Sequence, residues 1–279
     1  MRVLVTNDDG FDAPGLAVLA RALAGAGHEV TVVAPLAEAS GAGAGVGPLH
    51  VMRGGLHVEA VAPPGLEGIK ALGVDALPAL IVITACLGAY GPPPELVASG
   101  INPGRNVGRA VLHSGTVGAA LTAVHFGCKG LATSIQAGSV PSGFESANDG
   151  HPHYESAAVL AVVMAAHLER APARTVLNLN VPNRPLGQIR GVRRARLATT
   201  GLIRAAGSKD GGPDVHLDLR FREPADDDES DEALTGLGWA VVTPLASVSE
   251  DQRPDVADVV AGAVESAGRR LHTDSDLHG

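Results

Sequence analysis

The sequence predicts an α/β fold, a parallel sheet covered by helices, and three observations carry that prediction. Short Val-rich runs alternate with Ala/Leu-rich runs of helical length in the N-terminal half, the βαβ rhythm that implies parallel pairing with right-handed crossovers. Of the 279 residues 45% are apolar but only 3% aromatic, so Ala, Val and Leu must build the core. Such a core suits helices packed closely on a buried sheet. Polar, glycine-rich segments follow several of the strand-like runs, the place where open α/β sheets gather their chemistry.

In chain order, residues 3–6 read as a strand, 13–26 as a helix stopped by Gly25 and Gly27, and 29–34 as a second strand. Residues 35–48 form a Gly/Ala/Ser loop, and 49–52 with 56–61 are expected as a hairpin around Gly54-Gly55. The apolar stretch 76–90 reads as a buried helix, because it is shorter than the ~20 residues of a membrane span. Residues 95–99 resume the sheet, 100–113 form a loop, 114–126 a helix of small residues, and 130–135 a strand. A helix over 154–169 and a strand over 175–181 complete a core expected to span 1–188. From Ile189 the sequence turns Arg-rich and irregular, and residues 189–272 are expected as a C-terminal extension. It contains the acidic run 226–229, read as a solvated loop, a strand over 238–243 and a closing helix over 255–271. Residues 273–279 are expected as a disordered tail.

The formal net charge of −9 argues against binding a nucleic-acid polymer, whose groove shows a basic stripe. A small anionic substrate remains compatible, since a bound cation inverts the local field. Cys86 and Cys128, far apart in sequence and in apolar surroundings, are expected as two buried free thiols. With no secretory signal and no membrane span in view, a cytoplasmic location is expected.

Three loops carry the candidate chemistry. Asn7-Asp8-Asp9-Gly10 puts two adjacent carboxylates after the first strand. A divalent cation such as Mg2+ or Mn2+ would compensate them, and the Ser40 hydroxyl and the Asn102 amide oxygen can add neutral ligands. Ser114-Gly115-Thr116 opens a helix, where free N–H groups and the positive dipole end attract a phosphate. Asn106 can donate one more hydrogen bond, and His113 could protonate a leaving oxygen. A metal facing a phosphate cradle implies metal-assisted hydrolysis of a phosphomonoester. Plainer readings exist for the same residues: Asp9 or Asp12 as a helix N-cap, Ser114 as another, Asn102 as a turn residue, His113 as a helix-entry residue. His151 and His153, flanking Pro152, are a weak candidate for a second metal site. A nicotinamide-dependent enzyme fits poorly, because the first turn lacks G-x-G-x-x-G.

Several motifs together resemble the SurE family of metal-dependent nucleotidases and acid phosphatases. They are Thr6-Asn7-Asp8-Asp9-Gly10, Val33-Ala34-Pro35, Ser40-Gly41, the run from Ser99-Gly100-Ile101-Asn102 through Gly104, Asn106 and Gly108, and Ser114-Gly115-Thr116-Val117-Gly118-Ala119-Ala120. Weaker similarity continues through Leu177-Asn178-Leu179-Asn180-Val181-Pro182 and Trp239 to Leu245. The resemblance implies a Rossmann-like three-layer core whose extension holds a protruding hairpin, at 201–224, and the closing helix. It implies one divalent metal ion per subunit, held by Asp8, Asp9, Ser40 and Asn102, with Gly41, Asn106, Ser114, Gly115 and Thr116 around the phosphate. Asp8, Asp9 and Asn106 would be the catalytic residues, and His113 a substrate contact. A homodimer or homotetramer formed through the C-terminal arm is also implied.

The chain departs from the family pattern around this set. Leu36-Ala37-Glu38-Ala39 stands where Asp-Arg-Asn-x is usual, and Gly43 and Gly45 stand where hydroxyls are common. Residues 73–77 degrade a Gly-Thr-Pro-Ala-Asp stretch, Arg109 and Ala110 replace acidic residues, and His113 replaces a frequent Tyr. Altered recognition of the leaving group follows, so a specialised phosphorylated metabolite rivals a plain nucleotide. A catalytically weakened phospholigand-binding paralogue is the alternative.

Overall fold

The computed structural model describes residues 1–48, 55–136, 152–199, 204–206, 216–218, 229–250 and 253–275. In chain order the elements are β1 (Arg2–Thr6), α1 (Pro14–Gly25), β2 (Glu29–Pro35), β3 (Val58–Ala60), β4 (Lys70–Val74), α2 (Pro78–Cys86), β5 (Leu96–Pro103), α3 (Gly115–Ala123) and β6 (Lys129–Ile135). Then follow α4 (Tyr154–Arg170), β7 (Val176–Val181), β8 (Val192–Arg194), β9 (Arg204–Ala206), β10 (His216–Asp218), α5 (Asp231–Gly236), β11 (Ala240–Leu245) and α6 (Pro254–Ser275).

Nine strands form one sheet in the order β3-β4-β2-β1-β5-β6-β7-β11-β8. The six from β4 to β7 are parallel to their neighbours, while β3 and β11 pair antiparallel to β4 and β7. Strand alternation divides the core into two layers of side chains. Val3, Val5 and Val32 pack with α1 and α4 residues such as Leu16, Leu19, Ala158 and Leu168. Leu4, Val33 and Val97 pack with Ile81, Val82, Ala119 and Ala123 from α2 and α3. The three layers are therefore helices, sheet, helices, as expected for the fold class.

The chain grows from β1 through β2 to β4 on one side and restarts at β5 on the other. That reversal is a topological switch point, and it opens a crevice at the carboxyl ends of β1 and β5. Small residues let α3 approach this crevice. A Cβ added at Gly118 would lie 2.2 Å from the Gly43 carbonyl oxygen and 2.7 Å from the Ala44 nitrogen, so the loop after β2 rests directly on the helix backbone.

Some elements differ from expectation. Residues 49–54 lie outside the described residues, and the expected second hairpin strand pairs instead with β4. β4 escapes sequence reading because its five residues contain one β-branched side chain and an interior glycine. The boundary expected at residue 188 falls within a compact unit of Met1–Ala246, since β11 and β8 extend the same sheet; the second unit is Ser247–Gly279. α6 continues to Ser275, past the expected start of the tail, because no proline follows Pro254 to stop it. Most of the expected hairpin at 201–224 lies outside the described residues, though β9 and β10 within it pair antiparallel. The acidic run lies outside them too, except Glu229. Cys86 and Cys128 are free, as expected; Cys128 is buried, Cys86 only partly, and their sulfurs lie 3.6 Å apart. Among the described residues, no helix is long and apolar enough to cross a membrane.

Replacing Gly118 with Ala drives a side chain into backbone that cannot rotate away. The expected cost is about 1–3 kcal/mol in urea-unfolding stability, and a change within experimental error would contradict this packing.

Candidate functional site

Asn7-Asp8-Asp9-Gly10 leaves β1 as a locked turn. The Asn7 side-chain amide donates to the Gly10 carbonyl at 2.8 Å, and the Phe11 N–H donates to the Pro35 carbonyl at 3.0 Å. Neither Asp9 nor Asp12 caps α1, whose N-cap is Ala13 with no side-chain bond. The capping alternative for these carboxylates is thereby removed.

Asp8 is buried, 3% exposed, and sits on the first turn of α3. The Thr116 hydroxyl donates to Asp8 Oδ1 at 2.6 Å. Gly115 makes this seat possible, because any Cβ there would lie 2.7 Å from both Asp8 Cβ and Oδ2. Burial raises the Asp8 pKa, opposed by the Thr116 hydroxyl and by the N–H groups of Asp8, Thr116 and Gly115. The helix start thus holds a carboxylate of the chain itself, a favourable placement at the positive dipole end. Asp9 lacks such donors. Burial, and then the charges of Asp8 and Glu38, push its carboxyl up to about 7. One Asp9 oxygen, Oδ2, is buried with no hydrogen-bond partner, and Asn7 Oδ1 is another such oxygen.

Unpaired buried oxygens beside a charged carboxylate are costly, and a hard cation would satisfy them. Among the described residues no group of three or more His, Cys, Asp or Glu side chains could hold a metal. A cation bound at this turn would meet carboxylate mixed with neutral oxygen, the donor chemistry of hard ions.

Each of the other expected residues has its own set of contacts. The Ala39 N–H donates to the Asp8 carbonyl at 2.7 Å, bringing the loop with Ser40 and Gly41 to the turn. Ser40 itself is exposed, and its hydroxyl donates to Glu38 Oε1 at 2.9 Å. Asn102 ends β5, where its amide nitrogen donates to the Gly104 carbonyl at 2.6 Å. That bond is the turn role, and it leaves the Asn102 oxygen as the atom offered to a ligand. Ser114 caps α3 by accepting from the Val117 N–H at 3.1 Å. Its hydroxyl hydrogen stays free to donate. His113 is exposed, and its carbonyl accepts from the Gly43 N–H at 3.2 Å. His151 lies outside the described residues; the His153 N–H donates to Asn183 Oδ1 at 2.8 Å.

Asn106 is buried in a network that sequence reading missed. Its N–H donates to Asn180 Oδ1, its carbonyl accepts from the side-chain amides of Asn178 and Asn180, and its own amide donates to Ser134 Oγ at 2.9 Å. The signal was present, since Asn178 and Asn180 alternate with apolar residues on a strand buried at every position but Leu177. Polar residues of that kind must be satisfied by something. Glu38 and Tyr154 were also missed: both lie close enough for electrostatic coupling with Asp9.

Known proteins share much of this sequence and its fold. The sequence model of the family described as "Survival protein SurE" matches residues 3–203. A 5'-nucleotidase SurE of Legionella pneumophila is 37% identical over 206 residues, covering 71% of each chain. A 5'/3'-nucleotidase SurE of Citrobacter koseri is 38% identical over 204 residues, 70% of this chain and 69% of the relative. Among solved structures, the SurE protein of Aquifex aeolicus superposes with a TM-score of 0.68 at 25% identity, covering 95% of this chain and 100% of its own. The family model and the relatives show that this chain belongs to the SurE family.

Proposed function

We propose that the protein is a divalent-metal-dependent phosphomonoesterase acting on nucleoside monophosphates or a related small phosphorylated metabolite. The observation that carries the proposal is the Asp8 carboxylate seated on α3 beside Asp9, whose Oδ2 is buried without a partner. The nucleotidase names of the relatives support the reaction class.

In this proposal Asp8, Asp9 and the Asn102 oxygen hold the metal, with Ser40 joining if its hydroxyl leaves Glu38. The ion would neutralise phosphoryl charge and acidify water. Asp8 is fixed by Thr116 and the helix start, so its oxygens keep one orientation through the reaction. Asn106 spends one amide hydrogen on Ser134, leaving the other for a phosphoryl oxygen. Ser114, Gly115 and Gly41 would offer hydroxyl and backbone donors to the remaining oxygens. Positioning and charge stabilisation of this kind dominate phosphoryl-transfer catalysis. In this reading His113, exposed at the entry to α3, would contact the leaving group.

The bond from Ser40 to Glu38 favours a second reading, a binder with weakened turnover. A panel of nucleoside and sugar monophosphates separates the two. Phosphate release that EDTA abolishes and Mg2+ or Mn2+ restores supports the enzyme; a monophosphate held unhydrolysed with metal present supports the binder.

Homodimer or homotetramer formation through the C-terminal arm is part of the proposal. Val259, Val260 and Val264 share one side of α6 and are 55–72% exposed in the single chain, as a contact surface would be.

Two further outcomes are expected. Thr116→Val removes one charge-assisted bond from Asp8 and should lower kcat/KM by about 10–100-fold; activity within twofold of wild type would contradict the role given to that bond. Asp9→Asn should stabilise the metal-free protein. Because the folded-state pKa of Asp9 lies above its ordinary value, keeping it ionised costs stability; the cost begins above pH 3.8 and is complete above about pH 7. The gain in Tm from Asp9→Asn should therefore appear as pH rises through that window, while Mn2+ no longer raises Tm. A gain independent of pH would contradict the assignment.

A further inference from the structure

The loop that carries Asn106 is gripped from two sides. One side is the sheet, through Asn178, Asn180 and Ser134. The other is Asp231, the first residue of α5, which lies beyond the end of the family match at residue 203. Asp231 is fully buried. The Gly108 N–H donates to both of its carboxylate oxygens, at 2.9 and 3.2 Å. The N–H groups of Ala198 and Glu232 each donate to its Oδ1 at 2.9 Å. Arg105, three residues before Gly108, donates from Nη1 to the Glu232 carbonyl at 3.3 Å. The residues bracketing Asn106 are thus both tied to the first turn of α5.

Capping does not explain this carboxylate. Ser230 already caps α5, accepting from the Ala233 N–H at 3.2 Å. A buried charge is expensive unless its hydrogen bonds are made, and those made here come from the loop N–H groups of Gly108 and Ala198, with one more from Glu232 in α5 itself. N–H bonds to a carboxylate are among the stronger hydrogen bonds in a protein and fix the donor's place. Gly108 opens the short turn of residues 108–113 that leads to Ser114, so its position sets both Asn106 and the entry to α3.

We propose that Asp231 is a positioning residue for the site: through the Gly108 N–H it fixes residues 104–108 so that Asn106 meets the phosphoryl group. The segment after residue 203 then belongs to the substrate-binding apparatus. This inference rests on the phosphatase reading for its kinetic test, though not for its binding and exchange tests.

Asp231→Asn keeps the shape, removes the charge and sets an amide against the Gly108 N–H. It should lower kcat/KM by about 100-fold, the scale of a 1 Å misplacement. Affinity for inorganic phosphate in the presence of Mn2+ should fall at least tenfold. The Mn2+-induced rise in Tm should persist, because Asp8 and Asp9 lie on another loop and Asn102 is held in β5 by its pairing with Ser134 of β6, and far-UV circular dichroism should stay native. Wild-type-like phosphate affinity in Asp231→Asn overturns the proposal. So does parallel loss of Mn2+ and phosphate binding, which marks a general structural role. Should the variant fail to fold, hydrogen exchange of the wild-type Gly108 amide decides: slow exchange supports the clamp and rapid exchange refutes it. Failure of the phosphatase reading shows separately, as absence of phosphate release by the wild type, and the phosphate titration and amide exchange still decide on Asp231.

Discussion

Asp8 sits against the first turn of α3, with the Thr116 hydroxyl 2.6 Å from one oxygen and no room for a side chain at Gly115. Much of the surrounding structure follows from this contact. A carboxylate this deep stays charged only if donors face it, and a helix start is the densest local source of them. Meeting the helix there requires glycine at 115, and letting the β2 loop cross the same helix requires glycine at 118. The contact therefore joins the first strand and the third helix, 108 residues apart in sequence, and the loop after β2 closes on the same turn. Asp9, left without comparable donors, is pushed toward its neutral form, and one of its oxygens is buried unpaired.

The sheet order makes that contact possible. Reversal of chain growth between β1 and β5 opens the crevice into which both strand ends deliver polar residues. On the far side, alternating Asn residues of β7 and Ser134 of β6 replace apolar contacts with a buried hydrogen-bond network around Asn106. Such a network is costly when incomplete and specific when complete. Asp231 grips the adjoining Gly108 from the C-terminal segment, so residues beyond 203 contact the loop that carries Asn106 as well as the sheet.

The fold class was legible because periodicity and strand-end glycines are local properties. β1, α1, β2, α3, β6, α4 and β7 fall within a few residues of where the sequence puts them. β4 and α5 were not legible: one is a five-residue run with an interior glycine, the other six residues beside an acidic run. At the site the residue types named the participants but not their bonds. Ser114 turned out to cap α3, and the Thr116 hydroxyl, expected to face phosphate, faces Asp8. Ser40 turned toward Glu38, a residue whose significance appears only once the loop is folded over the Asp8 carbonyl. Partners distant in sequence, such as Asp231 and Gly108, leave no periodic trace; only the fold brings them together.

The central claim is that Asp8 and Asp9 form the anionic half of a cation site at the start of α3. Anomalous diffraction from crystals grown with Mn2+ tests it most directly. A single strong peak about 2–2.5 Å from oxygens of both carboxylates, with the Asn102 oxygen turned toward it, is the predicted result. A peak elsewhere on the molecule, with the Asp8–Asp9 turn empty in the same crystal, would contradict the account.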